Sequence, residues 1–332
     1  GDIRNNWTLT EIKEIYDMPL LELVYRASTL HRQHNDPREV QVSSLLSIKT
    51  GKCSEDCSYC PQSARHKSEI ETHKLMDVDA VVTAAKEAKQ AGSTRFCMGA
   101  AWREVKDDQD FDNILQMVKK VDALGMEVCC TLGMLTEQQA KKLKDAGVYA
   151  YNHNLDTSRE YYSKIITTRT YDDRLETLEN VRNAGMTICC GGILGMGEKD
   201  EDRLKMLLTL SQLTPHPESV PINALQPVPG TPLENQGLIS IWEMIRMIAT
   251  TRIVLPGSVV RLSAGRINFS KEGQALCFLA GANSIFAGDK LLTQPNQKQS
   301  EDKELFTLLG LKSKPAFKTP KQESTLSVKQ DI

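Results

Sequence analysis

The sequence carries almost no net charge: 41 lysines and arginines against 43 aspartates and glutamates leave −2 over 332 residues. The basic excess expected of a nucleic-acid-binding chain is absent, so no nucleic-acid partner is expected. No apolar run reaches the roughly 18 residues that a membrane-spanning helix needs, so no membrane association is expected either. The stretch from Gly1 to Thr10 lacks a basic-then-apolar leader pattern, which argues against secretion and for the cytoplasm. Gly1 in place of Met suggests a processed start. Histidine is scarce, and His31, His34, His66, His73 and His216 carry no spacing signal.

What remains is ordinary globular composition, 25% charged and 40% hydrophobic, enough for one large domain with a substantial core. Nine cysteines in a chain with no secretory pattern favour free thiols or metal ligands over a disulfide framework. Any single one of them can also be a small buried hydrophobe.

Two amphipathic helices are expected first, near Thr10–Asp17 and Leu20–His34. From Gln41 onward, eight short apolar or β-branched runs follow: Val42–Ile48, Thr94–Met98, Glu127–Leu132, Val148–Asn154, Thr187–Gly191, Val220–Leu225, Val259–Ser263 and Ser284–Ala287. Helical stretches separate most of them, and several of these stop at a glycine, as at Gly92, Gly125, Gly147 and Gly185. This alternation predicts an α/β fold, a (β/α)8 TIM-type barrel over residues 41–311. Residues 1–40 form an N-terminal helical extension in this reading, and 312–332 a polar, disordered C-terminal tail. A doubly wound open sheet is the structural alternative.

The first strand runs into a loop holding Cys53, Cys57 and Cys60, followed by Pro61. Loops at the strand C-termini are where a parallel barrel gathers its catalytic groups. These spacings let one tight loop present three thiolates to a metal centre. A four-iron cluster normally takes four thiolates, so three leave one iron open. The competing metal is zinc, bound by the same thiols with His66. The CxxxCxxC pattern, with Tyr59 just before its last cysteine, resembles the radical S-adenosylmethionine superfamily. The resemblance implies a 4Fe-4S cluster whose open iron is chelated by S-adenosylmethionine. It further implies reductive cleavage of that molecule to a 5′-deoxyadenosyl radical, and hence an external one-electron donor such as flavodoxin or ferredoxin.

The other cysteines fall mostly in strands: Cys97 in the second, Cys129 and Cys130 in the third, Cys189 and Cys190 in the fifth. Neighbours along a strand face opposite sides, so at most one of each doublet points inward. Arg261 and Ser263 share a face of the seventh strand. Residue pattern alone leaves two readings open, a packed barrel core or a second small cluster. An arginine inside a barrel is costly unless it has a partner.

CSEDCSYCPQ at 53–62, YNHNLD at 151–156, ITTRTYDDR at 166–174, Gly191-Gly192-Ile193 and VVRLSAGR at 259–266 together resemble the biotin synthase family. The likeness spans about Trp7 to Leu311. It implies a 2Fe-2S cluster on Cys97, Cys129, Cys189 and Arg261, whose bridging sulfide is inserted into dethiobiotin to make biotin. It implies a homodimer as well.

Asn152, Asn154 and Asp156 alternate, so as strand residues they would share a face, where polar groups need polar ligands unless they lie in solvent. The resemblance puts Asn152 and Asn223 near the ureido group of dethiobiotin. It puts Asn154, Asp156, Arg174, Tyr59 and Ala100 near S-adenosylmethionine, and treats His153 as a structural neighbour. Two other readings stand beside it: a different radical S-adenosylmethionine enzyme, and a non-catalytic iron–sulfur or zinc protein.

Overall fold

A computed structural model describes residues 3–316. Its strands are β1 (Glu39–Lys49), β2 (Arg95–Ala100), β3 (Glu127–Thr131), β4 (Val148–Asn152), β5 (Thr187–Cys189), β6 (Gly192–Leu194), β7 (Ser219–Ala224), β8 (Val259–Leu262) and β9 (Ser284–Ala287). All pair in parallel in chain order. β1 also pairs with β9, Gln41 opposite Ser284 and Ser43 opposite Phe286, which closes the sheet. β5 and β6 share one barrel position, interrupted at Cys190 and Gly191, so the closed barrel has eight positions. The open-sheet alternative is thereby ruled out.

Around the strands lie α1 (Leu9–Tyr16), α2 (Leu20–His34), α3 (Val78–Gln90), α4 (Gln109–Ala123), α5 (Glu137–Ala146), α6 (Arg159–Ile165), α7 (Tyr171–Asn183), α8 (Asp200–Gln212), α9 (Ile241–Val254), α10 (Lys271–Leu279) and α11 (Gln299–Leu309). Their limits follow local chemistry. Thr136, Thr170 and Ser240 cap α5, α7 and α9 with reciprocal capping boxes, which satisfy amide donors that the first turn leaves free. Gly147 ends α5 in the left-handed conformation. Apolar stripes such as Phe111, Ile114, Met117, Val118 and Val121 on α4 bury against the outer face of the sheet.

α1 and α2 sit against α8 and α9. Tyr16 donates to Asp200, Arg246 to the Tyr16 and Met18 carbonyls, and the Trp7 indole to the Val254 carbonyl. α6, α11 and a small hairpin, β10 (Lys290–Leu291) with β11 (Gln294–Pro295), were not expected from the sequence. The first residues of the stretch expected to be a polar tail are ordered as a strand. Lys312 and Ser313 form β12, pairing with Glu39 and Val40 of β1, because the backbone there still has a strand edge to satisfy. Gly1 and the rest of the expected tail, 317–332, lie outside the described residues.

The barrel floor is ionic. Arg95, fully buried, donates to Glu127 at 2.8 Å and to Glu218 at 2.9 Å. Above that layer the interior opens into a cavity of about 340 Å³ that reaches the C-terminal ends of the strands. Among the described residues no helix is long and apolar enough to cross a membrane.

Candidate active site

The cysteine loop leaves β1 through Gly51, whose left-handed φ of +79° turns the chain. The loop closes on itself: the Cys53 amide donates to the Gln62 carbonyl, the Ala64 amide to Cys53, and the Cys60 amide to Cys57. Cys53, Cys57 and Cys60 are free thiols that all line the cavity. Burial pushes the Cys57 thiol up to about 11 and Cys60 up to about 12, so metal binding there must displace protons. His66 directs Nε2 to the Cys57 carbonyl at 3.0 Å rather than to a thiol, so the structure does not bring it into the thiol set as a fourth zinc ligand. Among the described residues no His, Cys, Asp or Glu set converges tightly enough for a single ion. A multi-iron cluster, by contrast, spreads its thiolates over its own width.

Tyr59 ties this loop to the opposite wall. Its hydroxyl donates to Asp156 Oδ2 at 2.8 Å, and the same oxygen accepts from Arg174 Nη2 at 2.6 Å. Arg174 also donates to the Tyr162 hydroxyl and the Asn154 carbonyl. Asn152, Asn154 and Asp156 all line the cavity, but not as an alternating strand face. β4 ends at Asn152, and Asp156 has a left-handed φ of +68°. The turn lets the Asp156 carbonyl accept from the Ile193 amide while its own amide donates to Gly191. Its carboxylate therefore arrives by a turn, not by pleat periodicity. Asn152 donates to Asn154 Oδ1, and Asn223 donates to the Gly192 carbonyl, so both amides are held in place from behind. Ala100 lies at the end of β2 on the cavity wall.

Deeper in, the doublets resolve. Cys97 and Cys129 pack together with Ala150 in a small interior cluster, whereas Cys130 and Cys190 belong to the large core outside the barrel wall. Cys189 Sγ lies 3.3 Å from Asn152 Nδ2 and 3.9 Å from Arg261 Nη1. Hydrogen bonding to Cys97, with burial, pushes the Cys129 thiol well up, and burial raises Cys189.

Arg261 is 1% exposed, and its partners among the described residues are all neutral: Ser284 Oγ at 2.9 Å, Gln41 Oε1 at 3.1 Å, Ser43 Oγ at 3.4 Å and the Cys189 thiol. The carboxylate that its burial leads one to expect is not there. A buried cation without a counter-charge, beside the Cys189 thiol and lining the same cavity as Cys97 and Cys129, suits an anionic group. The interior donor set fits a small thiolate-bound cluster.

Residues 47–210 match the radical SAM superfamily, and 221–312 match the biotin and thiamin synthesis associated domain. Biotin synthase of Cytophaga hutchinsonii is 65% identical over 317 residues, covering 96% of this chain and 94% of its own. The chain belongs to the biotin synthase family. Mitochondrial biotin synthase of Arabidopsis thaliana is 61% identical, covering 94% of this chain and 83% of its own. Among solved structures, methylornithine synthase superposes with a TM-score of 0.78 at 20% identity, over 92% of this chain and 94% of that one. At that identity the likeness speaks for the barrel fold alone.

Two sets of cavity residues have no counterpart in the sequence reading. The β10–β11 hairpin brings Leu292, Thr293 and Gln294 to the mouth, and Glu55, inside the cysteine loop, and Arg169 join the lining. The hairpin is too short to leave a periodic signal. Arg169 lies within a family motif, but nothing in its spacing marks it.

Proposed function

We propose that this chain performs the reaction of its family, the insertion of sulfur into dethiobiotin to form biotin. Family membership brings S-adenosylmethionine, a 4Fe-4S cluster and a 2Fe-2S cluster. When bound, the first cluster supplies the electron that cleaves S-adenosylmethionine, and the second supplies the sulfur. Cys53, Cys57 and Cys60 would hold the first; Cys97, Cys129, Cys189 and Arg261 would hold the second.

The observation that carries this reading is Arg261, a buried cation with no carboxylate, beside the Cys189 thiol and in the same cavity as Cys97, Cys129 and the cysteine loop. A radical enzyme without a second cluster has no use for that arrangement. A non-catalytic electron carrier has no use for the amides above it.

The remaining groups bind and orient. Asp156, fixed by Tyr59 and Arg174, accepts from a ribose diol, and Asn154 lies beside it. Arg174 has one hydrogen on each Nη beyond those given to Asn154 and Asp156, which suits the methionine carboxylate, and the Ala100–Trp102 segment of the cavity wall suits the amine. Asn152 and Asn223 offer donors and acceptors to the ureido ring, between the two cluster sites. The closed wall keeps water from the reacting carbons, as radical chemistry requires.

Residues 41–311 act as the catalytic barrel in this reading, with 1–40 as its helical extension. A one-electron donor of flavodoxin or ferredoxin type and a homodimeric assembly complete it. A reducing compartment such as the cytoplasm suits nine free cysteines.

The test is anaerobic reconstitution with iron and sulfide counting, Mössbauer spectroscopy and an assay of biotin formed from dethiobiotin. Signals of both clusters, with biotin formed, are expected. Zinc without iron would overturn the scheme, and a four-iron cluster alone would overturn the sulfur-donor part.

A further inference from the structure

Arg169 is left without a role by the reading above. Its side chain is 8% exposed, lines the cavity, and brings Nη2 to 3.9 Å from Cys57 Sγ. Nε is buried with no hydrogen-bond partner, and the nearest carboxylate, Glu55, is 3.8 Å away, beyond hydrogen-bonding reach. Glu55 is already engaged by Arg103 at 3.0 Å and by the Thr168 hydroxyl.

Asp156 is matched by Arg174, and Glu55 lies closer to Arg103 than to Arg169. Asp56, the other carboxylate of the loop, takes its hydrogen bonds from Thr167 and Thr168 rather than from an arginine. Among the described residues Arg169 therefore has no hydrogen bond to a carboxylate, and its Nη2 stands beside the sulfur of a proposed cluster ligand. It is also held there. The neighbouring Thr167 and Thr168 donate backbone and hydroxyl groups to Asp56, inside the cysteine loop, so the two loops are clamped together.

A buried guanidinium with poor acceptors is costly, and a thiolate at Cys57 would supply the missing one. A cluster on three thiolates is anionic and becomes more so when it takes up an electron. A fixed cation beside one of its sulfurs therefore favours the reduced form, and burial protects that effect from salt.

We propose that Arg169 is a positioning residue for the first cluster: it donates to Cys57 Sγ and raises the cluster's reduction potential, easing electron entry. The proposal rests on the assignment of Cys53, Cys57 and Cys60 to a four-iron cluster.

The test compares the reconstituted full-length chain with Arg169→Gln and Arg169→Lys. Iron and sulfide are counted first. The four-iron signal is then followed by electron paramagnetic resonance through a redox titration without S-adenosylmethionine. Both variants should keep the cluster, because Glu55 retains Arg103 and Thr168 as partners. In Arg169→Gln the reduced-to-oxidised ratio at a fixed poise should fall at least tenfold, a 59 mV shift for one electron. Arg169→Lys, keeping the charge but not the forked donor, should recover part of that loss.

An unshifted potential at full occupancy overturns the proposal. If that result comes with tenfold weaker binding of S-adenosylmethionine, the arginine is a carboxylate contact instead. Loss of the cluster from both variants, with the circular dichroism spectrum intact, also overturns it and makes Arg169 a holder of the loop. A wild-type chain that binds no four-iron cluster fails at the underlying assignment and takes this proposal with it.

Discussion

Cys129 and Cys130 are adjacent, equally buried and chemically identical, yet they lie on opposite sides of one strand. Cys129 faces Cys97 and Arg261 inside the barrel; Cys130 faces aliphatic side chains of the outer core. Cys129→Ala should therefore abolish the two-iron signal and biotin formation while leaving the fold in place. Cys130→Ala removes only a small packed sulfur and should cost about 1–2 kcal/mol of stability with both clusters retained. Visible absorption and melting temperature of the reconstituted variants check both halves. Equal loss of the two-iron signal in the two variants would sink the assignment of faces. The same contrast applies to two of the large buried arginines. Arg95 is matched by Glu127 and Glu218 and reads as structure, whereas Arg261 meets only neutral partners, lines the cavity with Cys97 and Cys129, and reads as a ligand.

The break between β5 and β6 shows how an element can serve the site by failing to stay regular. A Cβ on Gly191 would stand 2.0 Å from the Pro221 carbonyl oxygen, which belongs to the backbone of β7 and cannot step aside. Gly191→Ala should therefore cost at least the ~1–3 kcal/mol usual for overpacking, and should disturb Asp156, whose amide donates to the Gly191 carbonyl. Gly237, with nothing within 4 Å of its would-be Cβ, is the control, and its alanine variant should stay within about 0.5 kcal/mol. Equal melting temperatures for the two variants would refute the close-approach argument.

Much of this level was legible in the sequence. Apolar runs ending in polar loops, with glycine stops between, carry the barrel because pleat and helix periods leave distinct marks. The cysteine triplet is legible because its spacing is itself the chemistry. The side chosen by each doublet was not legible, since a period of two leaves both faces open until neighbouring strands set the register. The turn that carries Asp156 was not legible either, since its left-handed conformation depends on the approach of Gly192 from β6, a contact between distant segments. α11 and the β10–β11 hairpin are specified by packing against the finished barrel rather than by strong local periodicity.

At the scale of the whole molecule, the N-terminal helices are joined to the barrel through a buried histidine. His31, on α2, is 3% exposed, and its Nδ1 has no partner. Beside it, across the α2–α9 contact, lies Arg252, fully buried and donating only to carbonyls and the Asn283 amide oxygen. Burial first, then the Arg252 and Arg32 cations, hold the His31 imidazole down to about 3; Asp36 opposes this weakly. An unfolded histidine titrates near 6.5, so between ~6.5 and about 3 the unfolded chain carries a proton here that the folded chain does not. Proton uptake by the unfolded state means that stability rises with pH. Above ~6.5 the contribution is complete, and below it stability should fall by up to about 1.4 kcal/mol per pH unit from this residue alone. Carboxylates held low, such as Asp56 at about 2, add their own loss only at more acid pH. Melting temperatures at pH 7.5 and 5.5 separate the histidines from the carboxylates, His153 and His216 being held below 6.5 by burial as well, and a variant picks out His31 among them. His31→Gln, which cannot take up the proton, should lose less between those two values than the wild-type chain does. Identical losses would mean that the acid sensitivity of the joint between helices and barrel lies elsewhere.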